Sequence, residues 1–226
     1  MIGQFSLSLI LPCCNEEEGL RRLLPQVPAF VDQVIVVDNA STDKTAQVAA
    51  DYRFRVVGES RKGYGSALLK GLRESNGQIL AIIDADGSYP VTMLKEICAF
   101  MQREDLDFVS GCRFPLSDPK AMPFVNLISN YFISFLSRSF FKIPLRDSQS
   151  GMMVFKSRVM EKIQLRNIGM GFSQEIKIKA WTCPGIRCGE YRISYFPRFG
   201  KVKFRKLRDG LGNFFDLLSL RKELLV

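Results

Sequence analysis

Two aspartates separated by one alanine, Asp84 and Asp86, have the residue types and the spacing that metal chemistry needs. They follow an apolar run at 79–83 and precede Gly87. In a turning segment both carboxylates can reach one Mg²⁺ or Mn²⁺ ion, which would neutralise a diphosphate and help it to depart. Asp-x-Asp-Gly also occurs in solvated turns. The apolar run favours the metal site, because it places the pair at the end of a buried strand.

Two other apolar runs also lead into polar side chains. The first leads into Pro12-Cys13-Cys14-Asn15-Glu16, and the second ends at Asp38. We interpret Asp38 as a ligand of a base or a ribose, and one of residues 41–43 as a helix cap. Glu16 is either a further ligand or an acid that favours a helix N-terminus.

The elements that position these residues follow from the hydrophobic pattern. Residues 34–37 are apolar throughout, which indicates a strand buried on both faces of a parallel sheet. Repeated βαβ units predict a doubly wound α/β sheet whose ligands collect at the carboxyl ends of the strands. The predicted strands are 6–11, 33–38, 55–57, 78–84 and 107–110, and the predicted helices are 16–24, 43–51, 65–74 and 91–102.

The second half of the chain has a different pattern. Residues 121–137 carry no charge, and apolar positions recur at helical spacing through 136 opposite a face of Asn and Ser. Pro123 and the polar face argue against a transmembrane span, so the helix either lies on a bilayer or packs in the core. Further on, the pattern predicts a loop and short strand at 147–155, a helix at 173–181, an extended segment at 185–196 and an amphipathic helix at 209–226.

Composition narrows the chemistry. The 226 residues include no histidine, which excludes Ser-His-Asp and Cys-His catalysis and any His-ligated zinc site. The six cysteines form no CxxC pair, and we expect reduced thiols in a cytoplasmic protein. The net charge is +9, and six cations without an acid lie within 198–208. Such a cluster suits an anionic partner. A glycine-bearing turn at 61–67 can bring backbone N–H groups or Lys62 near a phosphate.

Several of these segments together resemble one known family. The chain is similar to family 2 glycosyltransferases of the GT-A fold, and within them to the dolichyl-phosphate mannosyltransferase-like branch, which glycosylates polyprenyl phosphates. The resemblance extends from residue 6 to about residue 210. The segments that carry it are Pro12–Glu16, Val36–Thr45, Lys62–Ala67, Asp84–Pro90, Ser110–Arg113, Asp147–Gly151 and Arg198–Lys203.

The resemblance implies a mixed, mainly parallel GT-A sheet in a single domain, 1–226. Residues 1–112 would bind the donor, a GDP- or UDP-sugar, and residues 113–226 would face the acceptor and the membrane through amphipathic helices. Departures from the family pattern are Cys14, where a tyrosine is usual, and Asn39 in place of an acid. The implied nucleotide-sugar ligands are Pro12, Cys14, Glu16, Asp38, Lys62, Asp84 and Asp86; the metal ligands are Asp84 and Asp86; and the acceptor-phosphate ligands are Arg113, Arg198 and Lys203.

Two mechanisms are compatible with the sequence. A polyprenyl phosphate acceptor has a second pKa of about 6, so it is mostly ionised at neutral pH and needs cations rather than a general base. A hydroxyl acceptor would need a base, and Glu175 or Asp147 could be that base. The predicted catalytic residues are therefore Asp86, Arg113, Asp147 and Glu175. A catalytically silent membrane scaffold is the non-enzyme alternative.

The predicted environment follows from the acceptor. We expect a peripheral protein on the cytoplasmic face of a membrane, a location that is compatible with a membrane-protein partner. A nucleic-acid partner is not expected, because the sequence has no aromatic-interleaved binding platform.

Overall fold

The apolar runs of the sequence become strands of one seven-stranded sheet. The computed structural model describes residues 5–200 and 206–225, except for the side chains of 206–211 and 225. The strands are β1 (Leu7–Cys13), β2 (Gln33–Asp38), β3 (Arg55–Gly58), β4 (Ile79–Ile82), β5 (Phe108–Cys112), β6 (Met153–Lys156) and β7 (Cys188–Arg192). Their order in the sheet is β3-β2-β1-β4-β6-β5-β7.

The sheet is mixed and mainly parallel. Strands β1 to β4 are mutually parallel, whereas β6 pairs antiparallel with both β4 and β5, and β7 pairs parallel with β5. Since β6 runs against its neighbours, all other strands have their carboxyl ends at one edge of the sheet. The predicted sheet type is confirmed, and its carboxyl edge is where ligands bind in folds of this kind.

Helices cover both faces of the sheet. Along β1, Leu7, Leu9 and Leu11 belong to one buried cluster and Ile10 belongs to another, because successive side chains point to opposite faces. The first cluster includes residues of α1, α2 and α4, and the second includes residues of α3 and α7. The helices are α1 (Glu17–Leu23), α2 (Thr45–Asp51), α3 (Tyr64–Glu74), α4 (Leu94–Arg103), α5 (Phe124–Phe141), α6 (Val159–Lys162), α7 (Phe172–Thr182) and α8 (Lys206–Leu225).

The predicted boundaries are wrong where the chain turns toward the carboxyl edge. The strand predicted at 78–84 is β4, which ends at Ile82, so Asp84 lies beyond the last paired residue. The helix predicted at 91–102 begins with a 3₁₀ turn at Val91–Met93 and becomes α-helical at Leu94. Hydrophobic runs mark what is buried, and the residues after β4 remain buried although they leave the sheet.

Helix α5 presents its apolar side chains to the surface. Phe124 is 73% exposed, and Phe132 and Phe135 are each 55% exposed. The buried side of the helix includes Ser134 and Ser137. Of the two alternatives for this helix, packing of its apolar face in the core is therefore wrong. The buried Ser134 accepts the Ser148 N–H at 3.0 Å, and the buried Ser137 donates its hydroxyl to a backbone carbonyl of its own helix.

Helix α8 completes a third, smaller cluster with the end of α5. Leu217 and Leu220 of α8 are buried with Phe141 and with Ile178 of α7. The outer side of α8 exposes Phe215 and Leu218. Of the helices described, none is both long enough and apolar enough to cross a membrane.

Candidate active site

A cavity of about 300 Å³ opens at the carboxyl edge of the sheet, beside the ends of β1 and β4. The structure thus brings seven of the predicted site residues together at this cavity. Four other predicted residues lie outside its lining: Asp38, Arg113, Asp147 and Glu175. The residues that line the cavity are Pro12, Cys13, Cys14, Glu16, Asn39, Lys62, Gly63, Tyr64, Ala67, Asp84, Ala85, Asp86, Met170 and Arg198.

The Asp84 carboxylate is held from two sides. Tyr64 donates its hydroxyl to Oδ1 at 2.8 Å. Gly151 lies so close that a Cβ atom there would be 2.0 Å from Oδ2, so a larger residue at this position would displace the Asp84 carboxylate. Burial raises the pKa of Asp84 to about 7, and the negative charge of Asp86 adds to the shift. A cation between these two carboxylates would relieve their repulsion, so the pair fits a divalent metal ion.

Asp86 lies in the tight turn after β4. Its Oδ1 accepts the Ser88 N–H at 3.0 Å and also the Ser88 hydroxyl. Between them, Gly87 has a φ of +75°, and a Cβ atom there would be 2.7 Å from the ring of Phe199. The turn therefore needs glycine for its backbone conformation and for the close approach of the segment that covers it.

The covering segment follows β7 and carries Arg198 into the cavity. The N–H of Phe199 donates to the Asp86 carbonyl at 2.9 Å, which fixes the segment along the turn. Nη2 of Arg198 then lies 3.1 Å from Oε1 of Glu16, and its Nε lies 3.7 Å from Oδ2 of Asp86. Arg22 stacks on the Phe199 ring at 3.7 Å. The Arg198 guanidinium thus lies between Glu16 and Asp86, both of which are predicted to bind the nucleotide-sugar.

Asn39 shapes the wall of the cavity that follows β2. Its Nδ2 donates to the carbonyls of Glu59 and Arg61 at 2.9 Å each, and its Oδ1 accepts the Gly63 N–H at 2.8 Å. The buried amide therefore holds the loop that carries Lys62. A carboxylate at this position would accept the Gly63 N–H but could not donate to the two carbonyls. These hydrogen bonds explain why an asparagine stands here in place of an acid.

Two N–H groups in the first turn of α3 are used within the chain. Gly65 donates to the Gly169 carbonyl at 3.2 Å, and Ser66 donates to the Ile168 carbonyl at 3.0 Å. These two groups therefore bind a distant loop, and a contact between the glycine-bearing turn and a phosphate stays a prediction. Lys62 does line the cavity, as expected.

Asp38 takes a local role at the end of β2. Its Oδ1 accepts the Ser41 N–H at 3.2 Å, which stabilises the turn into the following segment. That contact is enough to explain a polar residue at the end of β2, even if Asp38 binds no ligand. Its predicted contact with a base or a ribose stays a prediction.

Arg113 and Asp147 form a buried ion pair next to the aspartate pair. Nε and Nη2 of Arg113 donate to the two Asp147 carboxylate oxygens at 2.7 and 2.8 Å, and the Arg113 N–H adds a third bond at 3.0 Å. Burial alone would raise the pKa of Asp147, but the guanidinium of Arg113 brings it below its ordinary value. The positive charge of Arg113 also opposes the rise in the pKa of Asp84.

Glu175 is committed to a loop. Its buried carboxylate accepts the N–H groups of Arg166 and Asn167 at 2.8–3.1 Å and receives a hydrogen bond from Lys179 at 3.0 Å. Lys179 is bound in turn to Glu223 of α8. Glu175 is not among the residues that line the cavity. This geometry favours a role for Glu175 in organising the loop over its predicted role as a base.

Two further predictions concern the cationic cluster and the metal ligands. Lys203 lies outside the described residues, as do Lys201 and Arg205. Of the six cations in 198–208, Arg198 is the member whose side chain is described. Within the described residues, no group of three or more Asp, Glu or Cys side chains could hold a metal ion. A cation at Asp84 and Asp86 would therefore take its other ligands from donor phosphates and water, as Mg²⁺ commonly does.

Sequence reasoning missed three residues of this site. Tyr64 donates a hydrogen bond to Asp84. Gly151 leaves space for the Asp84 carboxylate, and Lys177 binds the segment that contains Asp147. Tyr64 lies in the glycine-bearing turn at 61–67 and begins α3. Its hydroxyl could therefore have been predicted from the sequence as a hydrogen-bond donor at the site. Nothing in the local sequence indicates that residue 177 meets residues 147–150.

Comparison with known proteins gives a consistent picture. The model of the family described as Glycosyl transferase family 2 matches residues 8–163. An uncharacterized glycosyltransferase of Mycobacterium tuberculosis is 34% identical over 200 residues, which cover 86% of this chain and 87% of that protein. A dolichyl-phosphate hexose transferase of Haloferax volcanii is 24% identical over 207 residues, or 90% of this chain and 89% of that protein.

The solved structures agree on the fold. Glucosyl-3-phosphoglycerate synthase from Mycobacterium tuberculosis, in complex with Mn²⁺, UDP-glucose and phosphoglyceric acid, has a TM-score of 0.77 to this chain at 20% identity. The match covers 98% of this chain and 84% of that one. The expected GT-A fold is confirmed, and the family match spans more than half of the sequence. This chain belongs to glycosyl transferase family 2.

Proposed function

We propose that this glycosyltransferase moves a sugar from a nucleotide-sugar to the phosphate of a polyprenyl phosphate at a membrane surface. The observation that carries the proposal is the apolar face of α5. Its six large exposed side chains are Phe124, Val125, Ile128, Tyr131, Phe132 and Phe135, each at least 44% exposed. Single exposed apolar residues need no explanation, but six on one helix indicate a binding surface.

The surroundings of this face favour a lipid bilayer as its partner. Arg138 and Lys142 lie at the end of α5, and Arg221 of α8 stacks on Phe140 at 4.6 Å. On α8, Phe215 is also exposed. An apolar helix face bordered by cations is typical of helices that lie in the interface of an anionic membrane.

The buried acids support a phosphate acceptor over a hydroxyl acceptor. A hydroxyl nucleophile needs a base with access to it. Asp147 is bound on both oxygens by Arg113 and has a lowered pKa, and Glu175 is bound by two N–H groups and Lys179. A phosphate monoester is already ionised at neutral pH and needs neither of them. The relative from Haloferax volcanii, named a dolichyl-phosphate hexose transferase, supports the same acceptor class.

The residues of the cavity divide the reaction between them. Asp84 and Asp86 would hold Mg²⁺ or Mn²⁺, which supplies positive charge to the departing diphosphate. Arg198 exchanges its Glu16 and Asp86 contacts for phosphate oxygens, and Lys62, which also lines the cavity, adds a second positive charge near the donor. An oxygen of the acceptor phosphate attacks the anomeric carbon, the bond from that carbon to the donor diphosphate breaks, and the nucleoside diphosphate leaves.

A reconstituted assay tests the acceptor. The protein is incubated with anionic liposomes that contain a polyprenyl phosphate, with Mn²⁺ and with a panel of labelled GDP- and UDP-sugars. We expect one donor to yield a labelled glycolipid. Donor hydrolysis without any glycolipid would rule out the lipid acceptor. If a sugar acceptor were used and Glu175→Gln abolished that reaction, the hydroxyl mechanism would replace it. Nucleotide binding without metal-dependent hydrolysis would favour the silent scaffold.

A matched variant tests the membrane face. Phe132→Ser with Phe135→Ser removes apolar surface that is already exposed, so we expect little change in stability. Co-sedimentation with anionic liposomes and glycolipid synthesis are expected to fall, while hydrolysis of the donor in solution remains. Unchanged liposome binding, or a dimer in solution that the double variant dissociates, would assign the face to another partner.

A further inference from the structure

Lys177 is a fully buried lysine in the middle of α7. Its Nζ lies 2.5 Å from the carbonyl oxygen of Ser150, 3.3 Å from that of Ser148 and 3.4 Å from that of Asp147. An ammonium group has three N–H donors and no acceptor. The three donors therefore match three carbonyls of one loop.

That loop, residues 147–151, touches the active site at both of its ends. At one end, the Asp147 carboxylate binds Arg113. At the other, Gly151 packs against the Asp84 carboxylate, and its N–H donates to the Tyr89 hydroxyl at 2.6 Å. A shift of the loop would therefore move Arg113 and change the space around Asp84 together.

We propose that Lys177 is a positioning residue for sugar transfer: its ammonium fixes the 147–151 loop so that Asp147 orients Arg113 and Gly151 leaves room for the Asp84 carboxylate. The inference rests on the proposed function only in that transfer takes place at the Asp84 and Asp86 pair. It does not depend on which acceptor is used.

A charged donor suits this position better than an apolar side chain of the same length. Without Lys177, three buried carbonyl oxygens would lose a donor, at a cost of about 1–3 kcal/mol for each group left unsatisfied. The loop would be expected to move toward other donors. The remaining contacts of the loop do not replace these bonds: Gln149 binds Gln174, and Ser148 binds Ser134 of α5.

The charged groups around Lys177 come from several elements. Burial and the positive charge of Arg113 together lower the pKa of Lys177 to about 8, against the opposing charges of Asp147, Glu190 of β7 and Asp84. The contacts of α5 and α8 with the loop are made by the uncharged side chains of Ser134 and Asn213. A lowered lysine pKa means that the ammonium is present below pH 8 and is lost above it. The bonds to the loop would weaken over the same interval.

The test compares Lys177→Met with Lys179→Met. Lys179 is also buried on α7, but its ammonium binds Glu175, Glu223 and the Gln164 carbonyl rather than the 147–151 loop. Both variants lose a buried ammonium, so both are expected to melt earlier. The assay is Mn²⁺-dependent hydrolysis of the nucleotide-sugar, which needs no lipid acceptor, so a failed acceptor proposal would not affect the result.

We expect Lys177→Met to lower kcat by about 10–100-fold, the usual effect of losing a group that orients a reactive residue, with little change in the donor KM. Lys179→Met is expected to lower kcat much less. The alkaline decline of kcat near pH 8 in the wild type is expected to disappear in Lys177→Met. Equal loss of kcat in both variants would reduce Lys177 to a structural role, and an unchanged kcat with an unchanged alkaline decline would also overturn the proposal.

A second measurement covers the case in which Lys177→Met does not fold. In the wild-type protein, the ¹⁵N resonance of the Lys177 Nζ is followed against pH. Its midpoint is expected to coincide with the alkaline decline of kcat. A midpoint more than one pH unit away would overturn the proposal.

Discussion

Two aspartates at opposite edges of the sheet have opposite electrostatic environments. Asp107 precedes β5 at the amino edge and is 3% exposed. Its carboxylate accepts the Arg187 N–H and the Lys156 ammonium at 3.0 Å each, and also Arg158. Although burial would raise the pKa of Asp107, these donors hold it well below its ordinary range. Asp84, at the carboxyl edge, has its pKa raised to about 7.

The difference shows which edge the chain has left for a ligand. The carboxylate of Asp107 is satisfied by this chain alone, whereas Asp84 has Tyr64 as its hydrogen-bond donor and a second carboxylate nearby. A larger cavity, of about 470 Å³, opens at the amino edge beside Asp105, Lys156 and Arg158. Its charged rim is already ion-paired. Size alone would therefore favour the cavity at the amino edge, whereas the perturbed carboxyl group favours the smaller cavity as the proposed site.

The largest effect is expected from Asp84→Asn. Removing this carboxylate should lower sugar transfer by about 10²–10³-fold, because charge stabilisation of the leaving diphosphate is lost. The free energy of unfolding of the metal-free protein at pH 8 is expected to rise, since a buried repulsion with Asp86 is removed. Kinetics and chemical denaturation of the same preparation measure both. An Asp84→Asn variant that is less stable but still active would mean that Asp84 stabilises the fold, as expected of Asp107, and does not take part in transfer.

The opposite result is expected from Asp107→Asn. The substitution leaves Arg187, Lys156 and Arg158 facing a neutral amide, so the free energy of unfolding should fall by about 1–3 kcal/mol. The kcat of the folded protein at a permissive temperature is expected to be unchanged. Urea denaturation gives the stability, and donor hydrolysis gives kcat. A loss of kcat without a loss of stability would mean that the amino edge takes part in the reaction.

The two carboxyl groups also predict opposite pH trends. A raised pKa means that the contribution of Asp84 to stability is present in acid and is lost as the pH rises through 7. A lowered pKa means that the contribution of Asp107 is present above its ordinary pKa and is lost in strong acid. Since a cation must displace the Asp84 proton, the affinity for Mn²⁺ with a nucleoside diphosphate should fall about tenfold per pH unit below 7. Calorimetric titration measures it.

A control for this trend is the same titration with Asp84→Asn. The variant is expected to bind Mn²⁺ and nucleotide weakly, with no dependence on pH between 6 and 8. An equally steep dependence in the variant would assign the titration to another group.

The smallest effect is expected from Asp105→Asn. Its side chain is 67% exposed and pairs with Arg187 and, at 3.9 Å, with Lys156. Exposed pairs contribute about 0–1 kcal/mol, so the free energy of unfolding should hardly change. Comparison with Asp107→Asn separates the effect of burial on stability from the effect of losing a charge, because both variants neutralise an ion-paired carboxylate. A loss as large as that of Asp107→Asn would show that burial does not decide the difference.

The sequence by itself determined the sheet and the position of the aspartate pair. Continuous apolar runs identified β1 to β5, and β2 was predicted at its observed residues, Gln33–Asp38. The order of apolar runs and helices placed Pro12, Glu16 and Asp84 at one edge, because parallel strands joined by helices end on the same side. These are local signals, and each depends on residues within one element or on its neighbours in the chain.

The tertiary structure decided which polar groups remain for a ligand. Asp147, Glu175 and Lys177 are chemically equipped for catalysis, but they bind Arg113, the loop at 166–167 and the carbonyls at 147–150 respectively. The face of α5 that is buried was also undetermined, because a stripe of serines can be internal when distant backbone groups bind it. Hydrogen-bond partners 8 to 34 residues apart leave no periodic trace in a sequence, so only the folded structure shows that these groups are already hydrogen-bonded.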